Sequence, residues 1–143
     1  MPLLRSRSMS GARELPEGCP PPGHVPADGS FYRLSWPSAK LGQTLPSEAW
    51  VLPIDTKTSE SYQQFGDCGA YAFSIFSELD DLVKARGIIA WARKKSIVRV
   101  DLKPEMGAVL KTPSPLGDSH HDWWPSEGNE APESEVVAEQ GAA

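Results

Sequence analysis

Cysteine and long apolar runs are both scarce in this chain of 143 residues. Two cysteines, Cys19 and Cys68, are too few to form the disulfide framework of a small secreted domain. No apolar stretch approaches the roughly 20 residues that cross a bilayer. The first thirteen residues contain three arginines but lack the apolar stretch of about 7–15 residues found in a secretory signal. We therefore expect a cytoplasmic protein with no membrane partner.

Basic residues are in the minority, with 14 Lys and Arg against 19 Asp and Glu and a net charge of −5. The sequence pI of about 5.2 argues against a dedicated nucleic-acid-binding protein. Segment 126–143 holds five glutamates and no Lys or Arg. The negative excess therefore lies in that segment, and the total charge does not favour nucleic acid as a partner.

Proline and aromatic residues divide the chain into three parts. Residues 1–30 contain six of the 14 prolines and almost no large apolar side chains, so we expect a disordered segment there. All twelve aromatic residues fall in residues 31–125, which predicts a single domain over that range. The glutamate-rich residues 126–143 are predicted to form a disordered acidic tail.

The domain is predicted to be α+β, with a small mixed or antiparallel sheet, one or two helices, and disordered tails at both ends. Aromatic, β-branched and alternating residues favour several short strands. Pro104–Gly107 is predicted to be a turn and 112–125 a loop. The predicted strands are Phe31–Trp36, Ala49–Ile54, Tyr71–Phe76, Ile97–Leu102 and Ala108–Leu110.

The clearest helix begins after Phe76. Ser77 is a good N-cap, and Leu79, Leu82 and Val83 are spaced as one apolar helix face, with Arg86 extending along its edge. The sequence therefore predicts a helix whose first apolar turns pack on the sheet.

Segment 118–124 contains two adjacent histidines and two adjacent tryptophans. Adjacent side chains in extended chain point to opposite sides, so His120 and His121 do not form one metal site, and we expect no metal. We expect Trp123 and Trp124 to dock on the sheet with the imidazoles facing outward. Aromatic anchors with a polar rim are typical of protein interfaces, so these four residues are the predicted partner-binding site.

The stretch Gln63-Gln64-Phe65-Gly66-Asp67-Cys68-Gly69-Ala70-Tyr71 resembles the nucleophile box of ubiquitin-like-protein-processing cysteine proteases. The resemblance implies that Cys68 is a nucleophile and that Gln63 or Gln64 donates to the oxyanion. His24 is the one histidine upstream, and no Trp stands beside it. The alternative is that Cys68 is a small residue filling a glycine turn.

The layout from Phe31 to Leu110 resembles small bacterial ADP-ribosyltransferase-like domains. It has an early strand with Tyr32-Arg33, a strand and helix start at Ser74-Ile75-Phe76-Ser77, and the strand Ile97-Val98-Arg99-Val100-Asp101-Leu102. The resemblance implies that Arg33 contacts the phosphate of NAD and that Ser74 and Ser77 support the nicotinamide pocket. Glu105 is the acidic residue in a late position.

These observations lead to one expectation and two alternatives. We expect a small intracellular binding or regulatory module that acts on another protein and needs no cofactor. The first alternative is an NAD-using ADP-ribosyltransferase-like enzyme with Arg33, Ser74 and Glu105. The second is a cysteine hydrolase with Cys68 and Gln64.

Overall fold

The computed structural model of the protein describes residues 15–35, 40–52 and 66–139. These residues form seven strands and three helices. The strands are β1 (Val25–Pro26), β2 (Gly29–Ser35), β3 (Phe73–Phe76), β4 (Ser96–Leu102), β5 (Gly107–Lys111), β6 (His120–Pro125) and β7 (Glu135–Ala138). The helices are α1 (Gly66–Gly69), α2 (Leu79–Ile88) and α3 (Ala90–Arg93), and two 3-10 turns cover Ser47–Ala49 and Pro104–Met106.

All seven strands belong to one sheet in the order β1-β5-β6-β3-β2-β4-β7. Every neighbouring pair is antiparallel. The longest pairing joins β2 to β4, from Gly29 opposite Leu102 to Ser35 opposite Ser96. This sheet and its helices confirm the predicted α+β class. Among the described residues, no helix combines the length and apolar character needed to cross a membrane.

One face of the sheet, called the first face, carries the larger core. Trp50, from the segment that follows the first 3-10 turn, packs edge-on against Phe73 and Trp123 with ring centroids 5.3 and 6.1 Å away. Edge-to-face packing at these distances is favourable for aromatic pairs. Buried apolar side chains from the strands and from segment 40–52 complete this core: Phe31, Leu45, Leu52, Ile75, Val98, Val100, Leu102, Val109 and Val136.

The opposite face, called the second face, is covered by two separate clusters. Helix α2 packs Leu82 against Phe76 and Ile97 at one end. At the other end, Trp124 lies with Ala72 and Ala108 beneath the N-terminal residues of the described chain. The sheet is therefore covered on both sides at β6, because Trp123 and Trp124 point to opposite faces and each has no exposed surface.

A disulfide joins Cys19 to Cys68, with the two Cα atoms 5.3 Å apart. It links the N-terminal segment to α1, and Leu15 and Cys68 pack on the cluster around Trp124. The indole nitrogen of Trp124 donates to the carbonyl oxygen of Cys68 at 2.9 Å. Two cysteines do not make a disulfide framework, as expected, but they do form one disulfide bond, which was not predicted from the sequence. One disulfide suffices to hold a terminal segment over a cluster already formed by the sheet.

Helix α2 does not begin with the predicted Ser77 cap. It begins at Leu79, and the residue before it, Glu78, makes no side-chain capping bond. Ser119, from the distant segment before β6, supplies that function: its hydroxyl oxygen accepts from the Glu78 backbone N–H at 3.1 Å. The same hydroxyl donates to the Asp81 carboxylate at 2.6 Å. A tertiary contact has replaced the local cap that the sequence pattern predicts.

The core-facing side of α2 differs from the predicted stripe at one position. Leu82 is fully buried, as expected, but Val83 is 46% exposed. Ala85 and Arg86 are buried instead. The face of α2 that packs on the sheet is therefore rotated toward these two residues, and Val83 lies at its edge. The Arg86 guanidinium donates from Nη2 to the Glu139 carbonyl oxygen at 2.6 Å, which gives this charged group an acceptor beside the core.

Two segments outside the predicted domain range 31–125 belong to the sheet. Val25–Pro26 form edge strand β1 on β5, and Glu135–Ala138 form edge strand β7 on β4. Val136 is 1% exposed, and its backbone N–H donates to the Gln43 carbonyl oxygen at 2.9 Å. The sequence prediction missed β7 because it relied on the average composition of segment 126–143, in which glutamates surround the Val136-Val137 pair. A strand as short as β7 is compatible with a single buried side chain in such a segment.

The predicted loop 112–125 contains a strand. The prolines and Gly117 confine the turn to its first half, where Ser114 and Gly117 form an isolated antiparallel bridge. From His120 onward the chain pairs with β3 and β5 as β6. The loop prediction is therefore wrong for His120–Pro125. This segment lacks the alternation of apolar and polar residues that indicates a strand, but its backbone groups pair with β3 on one side and β5 on the other.

The predicted strand Ala49–Ile54 is also absent as far as the structure describes it. Ala49 ends a 3-10 turn, and Trp50 and Leu52 enter the core without strand pairing. Pro53 and Ile54 lie outside the described residues. The apolar pattern of this segment arises because Trp50 and Leu52 are buried in the core, although its described residues pair with no strand.

Candidate anion-binding site

The two tryptophans of the predicted partner-binding site are core residues. Trp123 and Trp124 are both 0% exposed. The Trp123 indole N–H donates to the Met106 carbonyl oxygen at 3.1 Å, and that of Trp124 is likewise used within the chain. The prediction that these rings contact a partner is therefore wrong, because each side of β6 is already covered.

The neighbouring imidazoles are also held within the fold. The Nδ1 atom of His120 lies 2.7 Å from the Thr112 carbonyl oxygen, and that of His121 lies 2.7 Å from the Ser119 carbonyl oxygen. The His121 ring packs edge-on against Phe31 at 5.3 Å. Burial, opposed by the bond to Ser119, lowers the pKa of His121. Each ring is half-buried with its Nδ1 atom bonded within the chain, and alternation along β6 places the two rings on opposite faces of the sheet. A partner-binding role for the histidines stays a prediction.

Cys68 cannot act as a thiolate nucleophile in this structure, because its sulfur is bonded to Cys19. Gln63 and Gln64, the residues that would donate to the oxyanion, lie outside the described residues. The hydrolase interpretation is therefore corrected at its nucleophile.

The residues implied by the ADP-ribosyltransferase resemblance are not brought together. Arg33 shares the first face of the sheet with Phe31, whereas Ser74 points to the second face and is exposed. Glu105 is exposed in the 3-10 turn beside β5. Ser77 donates its backbone N–H to the Ser119 carbonyl oxygen at 3.1 Å. Of this set, Arg33 alone lies in surroundings that suggest a binding site.

The Arg33 guanidinium is held between two aromatic rings. Its central carbon lies 4.6 Å from the ring centroid of Trp50 and 5.0 Å from that of Phe73. Its Nε and Nη1 atoms are buried and find no hydrogen-bond partner among the described residues. Burial lowers its pKa to about 10, so the group remains a cation at neutral pH. Cation–π contacts stabilise the charge but leave its N–H donors unused.

Further unpartnered polar groups lie on the same face. Ser35 and Ser96 are directly opposite each other in the β2–β4 pairing, and alternation places both on the first face with Arg33. Their hydroxyls and the Trp50 indole N–H are buried and have no partner among the described residues. The structure thus gathers two arginine donors, an indole donor and two hydroxyls at one end of the first face.

A second cation, Lys95, interacts with Arg33 through its charge. Lys95 immediately precedes Ser96, and burial, followed by the positive charge of Arg33, lowers the pKa of its ammonium. Within the described part of the chain, neither Arg33 nor Lys95 forms an ion pair with a carboxylate. We call Arg33, Ser35, Trp50, Lys95 and Ser96 the donor cluster.

The donor cluster has the chemistry of an anion site. Guanidinium, ammonium and indole groups donate and do not accept, and a hydroxyl can donate as well. A phosphate or carboxylate would supply the acceptor oxygens that these groups lack. A metal ion does not fit such a set, and the described residues contain no group of three His, Cys, Asp or Glu side chains that could hold one.

Comparison with protein-family models, with curated proteins and with solved structures finds no match for this chain. Sequence reasoning selected Arg33 but missed Trp50, Lys95 and the two serines. One signal was present: Phe31, Arg33 and Ser35 alternate along a predicted strand, so a cation and a hydroxyl share the face of a core aromatic residue.

Proposed function

We propose that the protein binds a small anionic ligand, with a phosphate or carboxylate group, at the donor cluster. The observation that carries the proposal is the Arg33 guanidinium, whose buried Nε and Nη1 atoms have no partner among the described residues. A buried donor without a partner destabilises a fold by about 1–3 kcal/mol, and more when it is charged. Groups that destabilise the fold in this way are concentrated at functional sites, where they bind a ligand.

The surroundings of Arg33 favour an anion over a neutral ligand. Two cations without carboxylate partners among the described residues raise the local positive potential, and low polarity around the aromatic rings strengthens their attraction for an anion. Trp50 and Phe73 also fix the orientation of the guanidinium plane. The Arg33 side chain therefore loses less conformational entropy when an oxyanion binds. Binding of a protein partner stays a prediction, and with Trp123 and Trp124 buried it has no surface assigned to it.

The first test measures ligand-dependent stability of the full-length oxidised protein. Inorganic phosphate, acetate and NAD are added separately at matched ionic strength with chloride as the reference. A ligand at ten times its Kd stabilises the protein by about 1.4 kcal/mol. NAD is included because the resemblance noted above implies it. Absence of saturable binding by all three would refute the proposal.

Matched variants separate a binding role from a structural one. Arg33→Met should abolish the response to the anions and leave the ligand-free protein at least as stable, because it removes a buried charge that has no counter-ion in the part of the chain that the structure describes. Arg99→Gln is the control: Arg99 is also a strand arginine, but it lies on the second face and pairs with Glu135 at 2.9 Å. A strongly destabilised Arg33→Met protein would instead show that Arg33 is structural.

The compartment is a separate question. The cytoplasm stays the predicted location, but disulfides persist mainly in oxidising compartments, so the Cys19–Cys68 bond favours such a compartment. Thiol labelling of the protein in intact cells tests this directly. Complete labelling of both cysteines would support the cytoplasm, and protection of both would support an oxidising compartment.

A further inference from the structure

The corner at which α2 meets α3 exposes two large apolar side chains. Ile88, the last residue of α2, is 80% exposed, and Trp91, in α3, is 53% exposed. Neither belongs to a core cluster of the described residues. Three residues of chain span at most about 11 Å, so the Cα atoms of Ile88 and Trp91 lie within that distance. The two side chains therefore belong to one region of the surface.

Hydrogen bonds fix the geometry of this corner. The Arg93 guanidinium donates from Nε to the Arg86 carbonyl oxygen at 3.1 Å and from Nη2 to the Gly87 carbonyl oxygen at 3.3 Å. The Ile89 backbone also joins the helices, because its N–H donates to the Ala85 carbonyl oxygen at 2.8 Å and its carbonyl oxygen accepts from the Arg93 N–H at 3.2 Å. The fold therefore holds α3 against the end of α2.

Lysines flank both apolar side chains. Lys84 and Ile88 are both exposed and lie four residues apart, on the face of α2 that is turned away from the sheet. Beyond α3, the Lys94 N–H donates to the Trp91 carbonyl oxygen at 3.3 Å. The Lys95 ammonium lies 5.8 Å from the centroid of the Trp91 ring. Cationic and apolar groups are thus interleaved at the corner.

Positive charge dominates this part of the chain. Residues 82–100 contain six Lys and Arg residues and no Asp or Glu. The acidic residues of α2, Asp80 and Asp81, lie in its first turn, at the opposite end of the helix. We give the name corner surface to the four cations and two apolar residues described above: Lys84, Ile88, Trp91, Arg93, Lys94 and Lys95. A partner that fits the corner surface must be anionic and must also offer an apolar layer.

Of three anionic or self-complementary partners, one fits both requirements. A second copy of this chain does not, because a symmetric contact between identical surfaces would bring like charges together. A nucleic acid offers phosphates and bases that can stack on Trp91, but a base stack does not use the aliphatic Ile88. A membrane with anionic lipid attracts Lys and Arg to its headgroups and accommodates Trp and aliphatic side chains just beneath them.

We propose that the corner surface docks on the surface of a membrane that contains anionic lipid, with Ile88 and Trp91 inserted at the level of the headgroups and the four cations beside them. The earlier expectation of no membrane partner was based on the lack of a spanning segment, which a contact of this kind does not need. The proposal is independent of the donor cluster and of its ligand.

Co-sedimentation with vesicles tests the proposal on the full-length oxidised protein. One set of vesicles is phosphatidylcholine alone, and the other contains about one-third phosphatidylserine. Each Lys or Arg near an anionic surface strengthens binding by about fivefold, so the protein should bind the anionic vesicles at least about tenfold more tightly than the neutral ones. Added salt should weaken this binding, because it screens exposed charges.

Apolar variants test the insertion of the two side chains. Trp91→Ala and Ile88→Ser should each weaken binding to anionic vesicles by at least about fivefold, because each removes apolar area that the membrane buries. Val25→Ala is the matched control and should bind as the wild-type protein does. Val25 is 53% exposed, but it lies in β1, at the edge of the sheet opposite β7, whereas α2 packs near β7.

Charge variants test the role of the cations. The double variant Lys94→Gln/Lys95→Gln should weaken binding to anionic vesicles by about 25-fold, at about fivefold for each charge removed. Lys103→Gln/Lys111→Gln is the control, because it changes the net charge equally. Both of its lysines are exposed and lie at the two ends of the segment that contains β5, so this variant should keep the wild-type affinity.

Fluorescence distinguishes a membrane contact from a nucleic-acid contact. Lipids with bromine on the acyl chains should quench the wild-type protein on binding and should quench Trp91→Phe less. A single-stranded oligonucleotide that binds more tightly than the anionic vesicles, with no effect of Ile88→Ser, would assign the corner surface to nucleic acid and overturn the proposal. Equal affinity for the two kinds of vesicle, binding to neither, or equal losses in the corner and control variants would overturn it as well.

Discussion

Removal of the Cys19–Cys68 disulfide should lower the free energy of unfolding by about 2–4 kcal/mol. The cysteines are 49 residues apart in the sequence. For a loop of that length, the chain-entropy model gives about 4 kcal/mol at 25 °C from the restricted unfolded state. Measured effects are often smaller, because unfolded chains keep some structure. The lower end of the range allows for this.

Urea denaturation followed by circular dichroism measures the effect on the double variant Cys19→Ser/Cys68→Ser. With a urea dependence of about 2 kcal/mol per molar, the midpoint should fall by roughly 1–2 M. The wild-type protein in reducing agent should unfold at the same midpoint as the double variant, and the reductant should not affect the variant. Equal midpoints for the oxidised wild-type protein and the double variant would refute the reasoning.

Three further changes test other parts of the fold. Asp81→Asn should destabilise the protein by about 1–2 kcal/mol at neutral pH. The hydrogen bond from the Ser119 hydroxyl lowers the pKa of Asp81, so the difference in stability between the variant and the wild-type protein should decrease as the pH falls below about 4. A difference that does not depend on pH would contradict this prediction. Gly107→Ala should cost at least about 2 kcal/mol, because Gly107 has φ +130° and a Cβ would meet the Trp124 carbonyl oxygen. Gly87→Ala, in the last turn of α2 where a Cβ would meet no neighbouring atom, should instead stabilise by about 0.4–1 kcal/mol, and thermal unfolding compares the two. Burial raises the pKa of Asp122, so its contribution to stability is fully present below about pH 4 and is lost as the pH rises through the folded-state pKa. Asp122→Asn should therefore be more stable than the wild-type protein at pH 7. A variant that is less stable in urea at that pH would contradict this prediction.

The strands that sequence reasoning located are those with an ordinary alternation. Ile97–Leu102 lies within β4 and Phe31–Ser35 within β2, because Arg99 and Asp101 alternate with apolar residues and because aromatic residues are dense before Pro37. Among the strands that were missed, β6 has two adjacent tryptophans that are both buried. A strand covered on both faces loses the alternation on which the prediction depends.

The site was less predictable than the fold. Arg33 was selected by its place in a layout, but the observation that favours a binding role is that its Nε and Nη1 atoms have no partner among the described residues, which only a structure shows. Ser35 and Ser96 meet through the register of two strands far apart in sequence. Trp50 reaches Arg33 from a segment without regular structure, which sequence patterns do not position.

The neighbouring tryptophans of β6 have a spectroscopic consequence. Trp123 faces the larger core, and Trp124 faces the disulfide-bound cluster on the opposite side. The chain also contains Trp36, Trp50 and Trp91, so the useful signal is the difference in fluorescence between the wild-type protein and a variant with one of the two β6 indoles replaced by phenylalanine, which reports on one layer of the protein. Two consecutive residues could thus show whether the layers come apart in a single event or one after the other.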